Sequence, residues 1–366
     1  MATAAATAAA ADVPSCRDLP AAVSAFADAF VDFAVSGIFF PSTPTPSPPP
    51  PPTPTTFLPS PTRLVAIGDL HGDLPKSLSA LRLAGLVPPH DPTSWSAGPT
   101  LAVQLGDILD RGGDEIRLLY LIRRLAISAA GQGGALLPIM GNHEFPGVKP
   151  EFWDGIRSRL AALRPDGPIA RRFLADLPTV LVVGDSVFVH GGLLEANVEY
   201  GLERINAEVS EWIRGERGAN AVAPEFVRGR DAVVWLRRFS DGVNCDCQRL
   251  EGVLGMIPGA KRMIMGHTIQ TDGINAVCGA QAVRVDVGLS RGCGNGLPEV
   301  LEINGGGTNV RVITTDPAEA WQYRKQGAEK AAIATAVKEK KGEVKEGLAL
   351  LVRESHGLKE VQAKAA

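Results

Sequence analysis

Three short stretches carry side chains able to hold metal ions and phosphate: Gly68-Asp69-Leu70-His71-Gly72, Gly106-Asp107-Ile108-Leu109-Asp110-Arg111-Gly112 and Gly141-Asn142-His143-Glu144. Two later histidines, His190 in Val-His-Gly-Gly and His267 in Met-Gly-His-Thr, stand in the same kind of place. The donors are imidazole, carboxylate and amide oxygen, without thiolate. That set suits divalent first-row ions such as Mn, Fe or Zn better than a closed structural zinc site. There are more donors than one ion needs. Two ions about 3.5–4 Å apart, bridged by one carboxylate, fit the count. Asp107 is the natural bridge, because its strand lies between the other donors. Such a centre lowers the pKa of a shared water and yields a hydroxide nucleophile at neutral pH. Arg111 can grip a phosphoryl group bidentately, so metals and arginine together point to phosphate-ester hydrolysis. His143 neighbours a ligand and fits the general acid for the leaving oxygen, with Asp110 as the carboxylate that holds it.

These residues need strand ends to bring them together. The runs RLVAIGD, LAVQLGD, ALLPIMGN, SVFVHGG and KRMIMGH are short apolar segments closed by glycine and a polar residue, and each reads as a buried strand. Helical patterns lie between the first three, over Leu74–Ala84 and Asp114–Ala129. Alternating strand and helix predicts an α/β layout that begins with a mainly parallel sheet. Further strands are expected at Ala282–Val287, Val300–Ile303 and Val310–Ile313, with helices at Glu195–Ile213 and Asp231–Phe239. Reactive groups in open α/β sheets sit beyond the carboxyl ends of strands. Four of the six histidines occupy such positions, a placement that core or surface histidines would not produce.

The remainder of the 366 residues divides by composition. Residues 1–40 include an apolar segment, Leu19–Phe40. Its Phe26, Phe30 and Phe33 recur at helical spacing and predict an amphipathic helix, or else a segment that docks on the main domain. Residues 41–61 are a Pro-rich linker of polyproline II character, a spacer first and a ligand for proline-recognising domains second. Residues 62–315 form the metallophosphatase domain. Residues 316–366 are rich in Ala, Lys and Glu and read as a solvated helix or disordered tail.

Net charge is −3, with no basic stripe for nucleic acid and no balance that favours a membrane surface. No apolar run reaches 18 residues. The first residues lack Arg and Lys until Arg17, unlike an Arg-rich transit peptide. Five cysteines in so long a chain form no disulfide framework and predict an intracellular protein. Cys245-Asp246-Cys247 reads as two surface thiols, with a redox-sensitive pair as the alternative. The expected compartment is the cytoplasm, with the mitochondrial intermembrane space second and the chloroplast third.

The three opening stretches, in order and spacing, resemble the GDxHG, GDxxDRG and GNHE signatures of the phosphoprotein phosphatase family. Within it the chain is similar to the Shewanella-like phosphatases, in the plant branch without a chloroplast transit peptide. The similarity is carried by VAIGDLHGDLPKSLSALRLAGL, VQLGDILDRGGDEIRLLYLIRRL, VFVHGGL with YGLERIN, RVDVGLSRGCGNGLPEVLEI and the N-terminal VSAFADAFVDFAVSGIFFP. The resemblance implies a calcineurin-like metallophosphoesterase fold, a two-sheet β-sandwich flanked by helices. It implies two divalent ions, manganese foremost, one on Asp69, His71 and Asp107 and the other on Asp107, Asn142, His190 and His267. It also implies His143 paired with Asp110, and phosphate held by Arg111, by Asn142 and by a second arginine, Arg237 ahead of Arg228. Phosphopeptide substrates with a preference for phosphotyrosine follow from the same likeness. Dinucleotide or cyclic-phosphodiester hydrolysis, or phosphate binding without catalysis, are the alternatives. In one respect the chain departs from the family: Glu144 runs into Phe-Pro-Gly and only a short stretch before Ile156, which bears on the cap over the site.

Overall fold

Leu64, Ala66, Val103, Leu181, Val183, Phe188, Ile264, Val283, Leu301 and Ile303 lie two residues apart wherever they share a strand, and they pack into one buried layer. Their neighbours Val65, Ile67, Ala102, Leu136, Val182, Val187, Val189, Met263 and Met265 face the other way, into a second buried cluster shared with the helices. Side chains alternate across a strand, so both faces of these strands are buried. That is why they read as unbroken apolar runs rather than as alternation. The result is two sheets packed face to face with helices outside.

The computed structural model describes residues 53–146, 159–160, 162–218, 221–242 and 245–315, with Phe26 and Phe30 as single helical positions. The strands are β1 (Phe57–Leu58), β2 (Arg63–Ile67), β3 (Leu101–Gln104), β4 (Ala135–Pro138), β5 (Val180–Val183), β6 (Ser186–Val189), β7 (Arg262–Met265), β8 (Asn275–Val277), β9 (Ala282–Arg284), β10 (Glu299–Asn304) and β11 (Asn309–Thr314). One sheet has the order β1-β5-β6-β7-β9-β8 and the other β11-β10-β2-β3-β4. As expected, β2, β3 and β4 are parallel. So are β6, β7 and β9, while β10 runs antiparallel to both its neighbours. The helices are α1 (Leu74–Leu83), α2 (Glu115–Ala130), α3 (Glu195–Tyr200), α4 (Leu202–Ile213) and α5 (Cys247–Gly255).

Four expectations are corrected. The single helix over Glu195–Ile213 is two, broken at Gly201, whose φ of 105° is outside the helical range. Asp231–Phe239 is a run of turns, because its backbone serves elsewhere. Val233 donates its N–H to the Phe226 carbonyl, and its own carbonyl accepts from Gly191 and Gly192, beside His190. The Pro-rich segment does not end as a spacer: Phe57 and Leu58 pair with Val182 and Val183, and Thr56 is buried. Finally, Cys247 is joined to Cys278 in a disulfide, leaving Cys245 and Cys293 as free thiols among the described residues.

Asn206 on α4 shows how a helix is tied to the sheet. Its Oδ1 accepts from the Thr179 and Val180 N–H groups at 2.7 and 2.9 Å. Its Nδ2 donates to Val180 O and to Thr56 Oγ1. A buried amide with all these partners satisfied fixes one register for β1, β5 and α4 together. Among the described residues no helix is long and apolar enough to cross a membrane. Phe26 and Phe30 are helical and exposed. The rest of the N-terminal segment, the charged tail and the short stretch after Gly147 lie outside the described residues.

Candidate active site

Each candidate donor follows the end of a strand: Asp69 and His71 after β2, Asp107, Asp110 and Arg111 after β3, Asn142 and His143 after β4, His190 after β6 and His267 after β7. A glycine precedes the first donor after β2, β3, β4 and β7 (Gly68, Gly106, Gly141 and Gly266), and β6 runs directly into His190. The turns are tight. His71, Asp107, Asp110, Arg111 and His267 all have φ between 44° and 68°, the left-handed region that side chains other than glycine avoid. Five such residues at one place store backbone strain, as functional sites do. A Cβ on Gly141 would strike the Asp107 carboxylate, and one on Gly266 the Asp69 carboxylate.

The structure brings the donors together. Asp69, His71, Asp107, Asn142, His190 and His267 are all buried. Ligand atoms of Asp107, His190 and His267 lie within 4.8 Å of one another, and so do those of His71, Asp107 and His143. Asp107 belongs to both groups. Its Oδ2 is 3.2 Å from His190 Nε2 and 3.6 Å from His71 Nε2. A carbonyl can only accept, so the contacts of His71 Nδ1 with Leu109 O (3.0 Å) and of His190 Nδ1 with Leu105 O (2.6 Å) put the proton on Nδ1. In His71 this leaves Nε2 as the basic nitrogen facing Asp107; in His190 burial works against charge, yet the Asp107 carboxylate beside Nε2 raises the pKa. Asn142 Oδ1 reaches His190 Nε2 at 3.1 Å.

The electrostatics fit cations. Burial lowers the His71 pKa to about 4. Burial, His190 and Arg237 lower that of His267 to about 2. Both are neutral imidazoles, the ligating form. Burial, Asp286 and Asp107 raise Asp69 well above the carboxylate range, and burial raises Asp286 to about 6. Burial works against the charge of Asp107 too, yet the surrounding His190, His143 and His71 hold its pKa low. Buried carboxylates crowded in this way call for positive charge. His267 Nε2 is buried without any hydrogen-bond partner, an orphan that a metal ion would satisfy.

Beside the donors stands an acid–carboxylate pair. His143 Nδ1 is 2.6 Å from Asp110 Oδ2, and its Nε2 lies 3.4 Å from Arg111 Nη2 and 3.9 Å from Asp107 Oδ2. Glu144 is the brace. Its carboxylate accepts from the N–H groups of Asp107, Ile108, Leu109 and Gly141 at 2.8–3.2 Å, locking the turn after β3 to the turn after β4. Of the two proposed second arginines, Arg237 is brought in, donating from Nη1 to His267 O at 3.0 Å and Thr268 Oγ1 at 2.9 Å. Arg228 is exposed, and its side chain makes no hydrogen bond or ion pair among the described residues.

Two participants went unnoticed in the sequence. Arg159 Nη2 touches Asp110 Oδ2 at 2.8 Å, the oxygen that His143 also uses, and donates to the carbonyls of His143 and Phe145. No pattern around Arg159 announces this. Asp286 follows β9 in Arg-Val-Asp-Val-Gly, an apolar run closed by an acid and a glycine, the same signal that found the other donors.

Residues 62–270, more than half of the chain, match the family model of the calcineurin-like phosphoesterases. Shewanella-like protein phosphatase 2 of Arabidopsis thaliana is 46% identical, over 82% of this chain and 89% of that protein. Shewanella-like protein phosphatase 1 of Plasmodium berghei is 27% identical, over 66% and 72%. The crystal structure of a cold-active protein-tyrosine phosphatase from a psychrophilic Shewanella species superposes with a TM-score of 0.57 at 18% identity, over 71% of this chain and 82% of that one. The chain therefore belongs to the calcineurin-like phosphoesterase family, among its Shewanella-like protein phosphatases. It is a metal-dependent hydrolase of the protein phosphatase class, using divalent ions on phosphoprotein substrates.

Proposed function

We propose that this phosphatase hydrolyses phosphomonoesters on proteins, phosphotyrosine before phosphoserine or phosphothreonine, at a centre of two ions, manganese foremost and iron or zinc as alternatives. The observation that carries the reading is the convergence of Asp107 with two groups of neutral or basic nitrogen donors beside a His143–Asp110 pair. In this reading Asp69, His71 and Asp107 would hold one ion, and Asp107, Asn142, His190 and His267 would hold the other. Ions bound there neutralise phosphate charge and lower the pKa of water. The chain supplies the rest. Arg111 and Arg237, with the Asn142 amide, hold the phosphoryl oxygens. His143 gives a proton from Nε2 to the leaving oxygen while Asp110 holds Nδ1. Arg159 pins Asp110 and the carbonyls around His143, so the acid keeps one orientation. The tyrosine preference is supported by the Shewanella protein-tyrosine phosphatase that shares this fold.

The Cys247–Cys278 disulfide supports an oxidising compartment, the intermembrane-space alternative, over the cytoplasm. A side-by-side assay of a phosphotyrosine peptide, a phosphoserine peptide and diadenosine tetraphosphate tests the substrate reading. The phosphotyrosine peptide is expected to turn over fastest. Preference for the dinucleotide would replace the reading with its phosphodiesterase alternative.

A further inference from the structure

Next to the metal-donor cluster lies a cleft of about 480 Å3, lined by Gly229, Arg230, Trp235 and Arg237. Trp235 fixes its position. The indole stands edge-on to the His267 ring, centroids 5.5 Å apart, and is 38% exposed. Arg237 is anchored through Nη1 to the turn at His267 and Thr268. Arg230 is different: it is exposed and has no hydrogen-bond or ion-pair partner among the described residues. Between positions 228 and 238 the chain carries Arg228, Arg230, Arg237 and Arg238 against the single acid Asp231. The chain as a whole is negative, so this rim reverses the overall charge beside the reaction centre.

The volume lies within the range of pockets that take a whole side chain, more than a phosphoryl group requires. An open guanidinium, an anchored one and an aromatic wall suit a carboxylate on a short hydrocarbon stem: the fork grips both oxygens and the indole covers the methylenes. We propose that this cleft is a substrate subsite that binds an acidic side chain flanking the phosphorylated residue. The inference rests on the protein phosphatase reading, since only a polypeptide substrate has such a neighbour. It adds to that reading a selectivity for acidic phosphopeptides and a steering field that salt weakens.

The test uses the full-length protein loaded with Mn2+ and two fluorescein-labelled phosphotyrosine peptides, alike except for Asp and Glu or Asn and Gln around the tyrosine. Fluorescence anisotropy is expected to show the acidic peptide binding about tenfold tighter, the scale of one bidentate charged contact. Arg230→Gln is expected to erase that preference and Arg230→Lys to keep part of it. An unchanged thermal melt shows that the exposed substitution leaves the fold alone. Equal affinity for the two peptides, or a preference that survives Arg230→Gln, overturns the inference. Phosphate release from the same peptides reports separately on the function: selective binding without release upholds the subsite and contradicts the phosphatase reading.

Discussion

His267 Nε2, buried and without a partner, marks the centre at the scale of single residues, because a buried polar atom left unpaired is costly. Around it other donors are held by something specific: His71 by the Leu109 carbonyl, His190 by that of Leu105, Asp69 by the His267 N–H, and the turn carrying Asp107 by the Glu144 brace. Two substitutions separate the roles. His143→Ala should keep its metal content by elemental analysis yet lose about 10²- to 10⁴-fold in kcat, the usual contribution of a positioned general acid. Asp107→Asn should lose more metal than Asp69→Asn, since Asp107 faces both donor groups. Equal metal content in those two variants would contradict the bridge. The donors were legible in the sequence because they follow short apolar runs with a glycine just before or just after. Arg159 was not, because its three partners come from turns 14 to 49 positions away, and no local pattern encodes such a meeting.

At the scale of elements, strand ends and helix starts are tied by acids whose charge depends on pH. Asp73 caps α1 by accepting from the Lys76 N–H, and Arg291 grips both its oxygens at 2.9 and 3.1 Å. Burial alone would raise its pKa, but the bonds from Arg291 outweigh it and the net shift is downward. A depressed carboxylate contributes stability that is complete above its unfolded pKa of about 3.9 and lost as pH falls through the lower folded value. Asp73→Asn should therefore be less stable than the parent near neutral pH in urea unfolding. That gap should narrow as pH drops below about 4; a gap constant with pH would contradict the assignment. Strands β2, β3, β4, β6 and β7 were readable from apolar runs and turn residues. The turns at Asp231–Phe239 were not, because Ala-Val-Val-Trp-Leu is an unbroken apolar run without a period of its own, while Val233 gives its backbone N–H to Phe226 and its carbonyl to the glycines beside His190. Tertiary partners decided that segment, as they did for β1 at the end of a proline run.

At the scale of the whole molecule, the sandwich delivers donors from both sheets to one edge, with β2, β3 and β4 on one side and β6 and β7 on the other. That convergence cannot be read from any one strand, and the sequence carried it only through the order and spacing of its motifs. The cysteines show the opposite case: spacing favoured free thiols, yet Cys247 at the start of α5 meets Cys278 in the turn between β8 and β9, 31 residues on. Closing a loop of that length contributes about 3–4 kcal/mol in the chain-entropy account. Dithiothreitol, or Cys247→Ser, should lower the urea midpoint accordingly, and an unmoved midpoint would show that the crosslink adds nothing. The central claim is that the converged strand ends make a divalent-metal phosphatase. Its most direct test is phosphate release from a phosphotyrosine peptide by one preparation as purified, after chelation with EDTA, and after Mn2+ is restored. Turnover is expected as purified, with its loss on chelation and its return with Mn2+; no release at any stage, or release indifferent to EDTA, would contradict a metal-dependent phosphatase.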